Sequence, residues 1–191
     1  MSGPCALFRE RTPTPFHSLG RSIAYQQLGG KAAGTIFGRV LEKCGKRGVL
    51  HPGLVSAASD TTLRAAGLSR SKVLSLKDLA SHVEAKEIPS WAGLERLDDE
   101  EIIERLTAVR GIGVWTVQML LMFDLHRLDV LPVGDYGVRN GFAIAYRKGN
   151  LPSPKELSSH AEIWRPYRSV ASWYMWRAVE LGKSGKLSLR K

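Results

Sequence analysis

The chain has 191 residues, with 28 Lys and Arg against 18 Asp and Glu, a formal net charge of +10 and a pI near 9.9, a balance that suits a polyanionic partner. Two cysteines, Cys5 and Cys44, are too few for a disulfide framework, a four-cysteine iron–sulfur site or a zinc cluster, and they fit a reducing compartment. No stretch reads as a membrane-crossing helix and the N-terminus has no signal-peptide run, so a soluble intracellular protein with no membrane partner is expected.

Residues 1–15, with Pro4, Pro13 and Pro15, read as a loosely ordered lead-in. From there the pattern is helix after helix. Ser18 is placed to cap a first helix with Leu19, Ile23 and Leu28 on one face, and Gly29-Gly30 ends it before Ala32, Ile36, Phe37, Val40 and Leu41 resume the period. Asp60 is placed to cap a short helix ending at Gly67, and Ser69 a longer one with Val73, Leu76, Leu79, Ala80 and Val83 inward, stopped by Ile88-Pro89. After a short turn at Trp91 and Leu94, Asp98 and Glu101 form a capping box leading into Ile102, Ile103 and Leu106. Val114, Val117, Leu120 and Leu121 carry a helix to about Phe123, and Asp135 starts another with Val138, Phe142 and Ala145 inward. Ser153-Pro154 with Glu156 opens the next, and a last helix from about Pro166 carries Val170, Trp173, Tyr174 and Trp176, with Trp173 and Trp176 assigned to the core. No run alternates as a strand does, so the expected class is all-α, with about nine or ten helices.

The stretch from Leu106 to Asp135 carries the chemistry. Gly111-Ile112-Gly113 sits between two helical patterns. Such a helix-hairpin-helix presents backbone N–H groups and a helix dipole to phosphate without reading bases, although an ordinary helical corner has the same outline. Asp135 follows Trp115 by twenty residues. A carboxylate just before a helix caps it, and a cap is compatible with stabilising positive charge that develops nearby. Arg110, Arg139, Lys148, Arg165 and Arg168 are candidate phosphate contacts.

Four motifs in order, SIAYQQLGGKAAGTIFGRV, LTAVRGIGVWTVQML, DVLPVGDYGVRNGF and WRPYRSVASWYMW, resemble the helix-hairpin-helix DNA glycosylase superfamily over about residues 16–182. Within it they are most similar to the alkylbase branch, the DNA-3-methyladenine glycosylases. The resemblance implies two helical lobes with a cleft between them: residues 16–126, ending in the hairpin, and residues 127–183, carrying the acid, followed by a basic tail at 184–191. It implies Asp135 as the catalytic carboxylate, Trp115 and Tyr167 as substrate-binding aromatics, and Gln26, Gln27, Gly111, Gly113 and Thr116 as DNA-binding residues. Gln27 stands where the family inserts a wedge into the gap in the DNA, an apolar residue in the bacterial enzyme. Main-chain oxygens of Thr107, Val109 and Ile112 correspond to a monovalent cation site; no other cofactor and no iron–sulfur cluster are implied. The helical core is expected without the N-terminal β-sheet lobe of the inducible bacterial enzyme.

Where bifunctional members carry a nucleophilic lysine, two positions after the second hairpin glycine, this chain has Trp115. Without that amine no Schiff base forms there, so the implied enzyme is monofunctional. It would act as a monomer on double-stranded DNA containing alkylated bases. The target would be rotated into a pocket, where electron-rich rings stack on a cationic 3-methyladenine or 7-methylguanine. Asp135 would then stabilise the oxocarbenium-like sugar and orient water. A non-catalytic helix-hairpin-helix DNA-binding module and a glycosylase for another lesion remain the alternatives. The implied location is the nucleus in a eukaryote, otherwise the cytoplasm.

Overall fold

In the computed structural model, residues 3–7 and 11–184 are described. Residues 1–2 and 8–10 of the expected lead-in and 185–191 of the expected basic tail lie outside the described residues. Eleven α-helices, one 3₁₀ turn and a two-stranded antiparallel ribbon make up the described regular structure. No described helix is long and apolar enough to cross a membrane. The chain divides into two compact units, one Arg11–Leu120, the other built from described residues 3–7 and 121–184.

In the first unit, α1 spans Pro15–Tyr25 and α2 Gly30–Cys44. The cap of α1 is Thr14, whose Oγ1 accepts from His17 N at 3.0 Å, with Pro15 at the first helical position. Ser18 therefore does not start the helix; it lies inside it and is buried. A ribbon follows, β1 (Gly45–Lys46) and β2 (Val49–Leu50), with Gly45 opposite Leu50 and Lys46 opposite Val49. Arg47 and Gly48 turn it, both at positive φ (52° and 77°), the conformation that suits a two-residue hairpin.

Helix α3 covers Pro52–Ala57, α4 Asp60–Ala65 and α5 Arg70–Glu84. Ser59, not Asp60, caps α4 by accepting from Thr62 N. Ser69 caps α5 as its sequence position suggests. Helix α5 is the central element here, packing on α1, α3 and α4; its Val73, Leu76 and Leu79 are buried, as are Leu19 and Ile23 of α1. Then come α6 (Trp91–Leu94), α7 (Asp99–Thr107) and α8 (Val114–Phe123), whose last three residues belong to the second unit. Asp98 Oδ1 accepts from Glu101 N at 2.7 Å at the start of α7.

The second unit is organised by α9 (Tyr136–Ala145) against α11 (Arg168–Lys183), with α10 (Pro154–His160) and a 3₁₀ turn (Ala161–Trp164) beside them. Val138, Phe142, Leu157 and Met175 form its core, with Trp164, Tyr174 and Trp176 packed around. The approach of α9 to α11 is close. A Cβ on Gly141 would lie 1.9 Å from Met175 O, so no larger residue fits. Ser169 ties the segment leading to Asp135 onto α11: its N donates to Leu128 O at 2.8 Å, its Oγ donates to Arg127 O at 2.7 Å, and it accepts from Val130 N at 2.9 Å.

Candidate active site

In the first unit, α7 and α8 flank the turn that holds Gly111, at φ 76°, and Gly113. A side chain at Gly111 would be strained and would also meet Ser75 Oγ at 2.5 Å. Gly113 O accepts from Thr116 N and Val117 N, which makes it the residue before the first turn of α8. The hairpin is thus present as a geometric motif, with its glycines and the next N–H groups at a helix start. Ile112 N donates to Val109 O at 3.1 Å. A carbonyl with one donor keeps a second lone pair, so Val109 O retains acceptor capacity at this turn. No three His, Cys, Asp or Glu side chains cluster as metal ligands among the described residues.

Beside the hairpin lies a cavity of about 380 Å³ whose walls include Arg21, Tyr25, Gln26, Gln27, Trp115 and Thr116. Four residues singled out from the sequence therefore meet here: Gln26, Gln27, Trp115 and Thr116. Trp115 is 50 % exposed, whereas Thr116 is buried. Arg21 stacks its guanidinium over the Tyr25 ring at 4.2 Å. Gln27 follows the end of α1 in a left-handed conformation, φ 57°. Gln26 Nε2 donates to Gly111 O at 2.8 Å, linking this corner to the hairpin. Lys72 Nζ donates to both Ala24 O and Gln26 O at 2.8 Å, and burial pushes its ammonium below the ordinary lysine value.

In the second unit, Asp135 is the cap of α9. Its Oδ1 accepts from Val138 N at 2.7 Å and from Trp176 Nε1 at 2.9 Å. The second bond sets Trp176 apart from a plain core residue: its ring stacks on Phe123 (6.0 Å between centroids, 21°) while its N–H holds the carboxylate. Gly137 makes room for this contact, since a Cβ there would lie 2.8 Å from Trp176 Cδ1. Tyr136 and Tyr167 stand exposed, at 67 % and 56 %.

Tyr167 sits at the start of α11 between two arginines that Asp129 holds. Arg168 Nε and Nη2 donate to Asp129 Oδ1 and Oδ2 at 2.7 and 2.9 Å, and Arg165 Nη1 donates to Oδ2 at 2.6 Å. Burial alone would raise the Asp129 carboxyl, but the hydrogen bonds and charge of Arg168, with the charge of Arg165, outweigh it and hold the group below the usual carboxylate range. Of the candidate phosphate contacts, Arg165 and Arg168 are thus engaged by Asp129, Lys148 pairs with Glu156 at 3.2 Å, and Arg139 Nε donates to Pro152 O. Arg110 is exposed, and its backbone N donates to Asp78 Oδ2 at 2.7 Å.

Residues 21–166 match the family described as HhH-GPD superfamily base excision DNA repair protein. The chain belongs to this superfamily. It is 40 % identical over 167 residues to DNA-3-methyladenine glycosylase 1 of Schizosaccharomyces pombe, spanning 87 % of this chain and 73 % of that one. Among solved structures it resembles the Schizosaccharomyces pombe 3-methyladenine DNA glycosylase in complex with abasic DNA, with a TM-score of 0.80, 37 % identity, and coverage of 98 % of this chain and 87 % of that one. It also resembles a DNA-3-methyladenine glycosidase from Bacillus halodurans, with a TM-score of 0.83, 40 % identity, and coverage of 91 % and 79 %. As a superfamily member it is mostly helical and built on the helix-hairpin-helix, the class expected from its sequence.

The residues that the sequence does not reveal are Trp176, Gly137, Tyr136, Tyr25, Lys72 and Asp129. Tyr25 and Tyr136 directly adjoin singled-out residues, Gln26 and Asp135, and that adjacency is the one available signal for them.

Proposed function

We propose that this chain is a monofunctional DNA glycosylase that extrudes alkylated purines of the 3-methyladenine and 7-methylguanine type from double-stranded DNA and hydrolyses their N-glycosidic bond, the first step of base excision repair. The observation that carries the reading is the fixed carboxylate of Asp135, at a helix start and gripped through Oδ1 by Val138 N and Trp176 Nε1. A cationic base is already a good leaving group. The remaining demand is stabilisation of positive charge on the sugar and orientation of water, which an immobilised carboxylate supplies without reorganising.

The other roles follow from chemistry. Trp115, half-exposed, supplies an indole for cation–π stacking on the alkylated ring, and Tyr167 a second exposed ring. Trp115 occupies the position where bifunctional relatives carry a lysine, so the abasic product is released with its strand intact. Gly111, Gly113 and the start of α8, including Thr116, hold the phosphate backbone. A monovalent cation on the main-chain oxygens of Thr107, Val109 and Ile112 would add positive charge to that grip. Gln27, presented from its left-handed corner, fills the space left by the extruded nucleotide, with Gln26 beside it. The protein acts as a monomer, in the nucleus if its source is eukaryotic and otherwise in the cytoplasm.

Asp135→Asn tests the reading. The amide keeps an acceptor for Val138 N and Trp176 Nε1, so the fold and DNA affinity should persist. Loss of the charge should slow base release by about 10²–10³-fold, the usual cost of removing one preorganised electrostatic group. Chromatography of bases freed from methylated duplex DNA reads the effect, and product strands should break only after alkali. Full activity of the variant would move catalysis to another group. Strand breaks without alkali, with a borohydride-trapped adduct, would overturn the monofunctional assignment.

A further inference from the structure

Three successive turns of α5 reach towards the corner after α1 and towards the hairpin. Lys72 Nζ donates to Ala24 O and Gln26 O, both at 2.8 Å. One turn on, Ser75 packs against Gly111 so closely that a Cβ on the glycine would fall 2.5 Å from its Oγ. A turn further, Asp78 Oδ2 accepts from Arg110 N at 2.7 Å. Gln26 closes the circuit by donating to Gly111 O at 2.8 Å. A helix with one buried, largely apolar face thus carries a row of polar side chains whose targets are the backbones of two separate corners.

Lys72 has the chemistry for this. The last carbonyls of a helix lack intrahelical donors, and a cation there meets both that need and the negative end of the dipole. By holding the carbonyls on either side of Tyr25, it fixes the chain direction just before Gln27, whose φ of 57° is one a non-glycine residue adopts only when its surroundings impose it.

We propose that Lys72 is a positioning residue for nucleotide extrusion: it acts through the Gln26–Gln27 corner, which it holds in register with the Gly111 turn, and it touches neither base nor sugar. This rests on the glycosylase reading above, in which Gln27 occupies the vacated space. An ammonium that donates to two carbonyls has no apolar substitute, so Lys72→Met releases the corner while keeping the stem in place. Lys72→Arg, with several donors on a fork, can reach both oxygens again.

The experiment uses a duplex carrying a 2′-fluorinated 7-methylguanine, which resists hydrolysis, next to 2-aminopurine, whose fluorescence rises when its neighbour unstacks. The unsubstituted protein should give a clear rise at saturation. Lys72→Met should shift the extruded-to-stacked ratio by about tenfold towards the stacked form, with affinity for undamaged duplex little changed and Lys72→Arg restoring the rise. Gln27→Ala should lower the rise as well, and the double variant should be no worse than Gln27→Ala alone, because Lys72 acts through that corner. Thermal unfolding is recorded for every variant. If Lys72→Met does not fold, Lys72→Gln, which keeps one donor arm, carries the same comparison. A full rise in the folded Lys72 variant, or a loss that multiplies with that of Gln27→Ala, would overturn the assignment. No rise with the unsubstituted protein would instead overturn the extrusion reading, and this proposal with it.

Discussion

Replacing Gly137 with alanine places a methyl group where Trp176 and Asp135 meet. The new Cβ would lie 2.8 Å from Trp176 Cδ1, 3.0 Å from Trp176 Nε1 and 3.0 Å from Asp135 Oδ1, roughly 0.5–1 Å inside comfortable contact. The indole must retreat by about that distance, which takes its 2.9 Å bond to Oδ1 out of hydrogen-bond range. A hydrogen bond to a charged acceptor is worth about 1.5–3 kcal/mol, which at about 1.4 kcal/mol per factor of ten is a loss of about 10–100-fold in rate. The fold loses less. Overpacking costs about 1–3 kcal/mol, and alanine in the helix returns about 0.5–1 kcal/mol. Single-turnover release of 7-methylguanine with protein in excess measures the first quantity, and thermal unfolding the second. Trp176→Phe removes the same N–H without the clash, so the double variant should be no slower than the worse single one. Release at the unsubstituted rate by Gly137→Ala, or rate losses that multiply in the double variant, would refute the claim that this bond orients the carboxylate.

Trp115→Ala should lower kcat/KM for cationic 7-methylguanine by about 3–30-fold, the worth of about 0.5–2 kcal/mol of cation–π stacking, and should cost less for an uncharged lesion such as hypoxanthine; equal losses on both would remove the cation–π role. Asp129→Asn should destabilise the protein by about 1–2 kcal/mol at neutral pH, a partly exposed charge-assisted contact lying at the low end of its range. Because the folded carboxyl titrates below its ordinary value, this stability is fully present above the ordinary carboxylate pKa near 4 and is lost as pH falls through the folded value. Urea unfolding across that window should show the gap between the two proteins closing towards acid, and a gap that stays constant would exclude the ion pair as its source. Arg110→Ala should weaken duplex binding uniformly across sequences and lower the slope of log affinity against log salt by about 0.9, one phosphate contact; an unchanged slope would take Arg110 off the DNA.

What the sequence made legible is what acts over a few residues. Ser69, Asp98, Asp135 and Ser153 each accept from an N–H three positions on, so their caps can be read from the chain alone. Ser18 misled because Thr14-Pro15, a cap followed by proline at the first helical position, lay in a stretch whose prolines read as a loosely ordered lead-in. The ribbon at 45–50 escaped because each strand is two residues long, too short for alternation, and its turn carries Arg47 where asparagine or glycine is the usual signal.

The candidate site divides along the same line. The hairpin glycines, Trp115 and Asp135 lie in one run of chain, whereas several contacts of the candidate site arrive from far away: Trp176 reaches Asp135 across 41 positions, Gln26 reaches Gly111 across 85, and Lys72 in turn reaches Gln26 and Ala24 across 46 and 48. Nothing in an amphipathic helix says which of its tryptophans turns an N–H towards a carboxylate, because Trp173 and Trp176 satisfy the same apolar period. The space left by Gly137 is the deciding fact, and a glycine inside a helix pattern becomes informative only once its neighbour in space is known. The hairpin and the candidate carboxylate are therefore local in sequence, whereas the contacts that Trp176 and Gln26 make to them are not. Substitutions at these contacts should change rate or extrusion more than stability, whereas changes at buried apolar positions such as Phe142 should do the reverse.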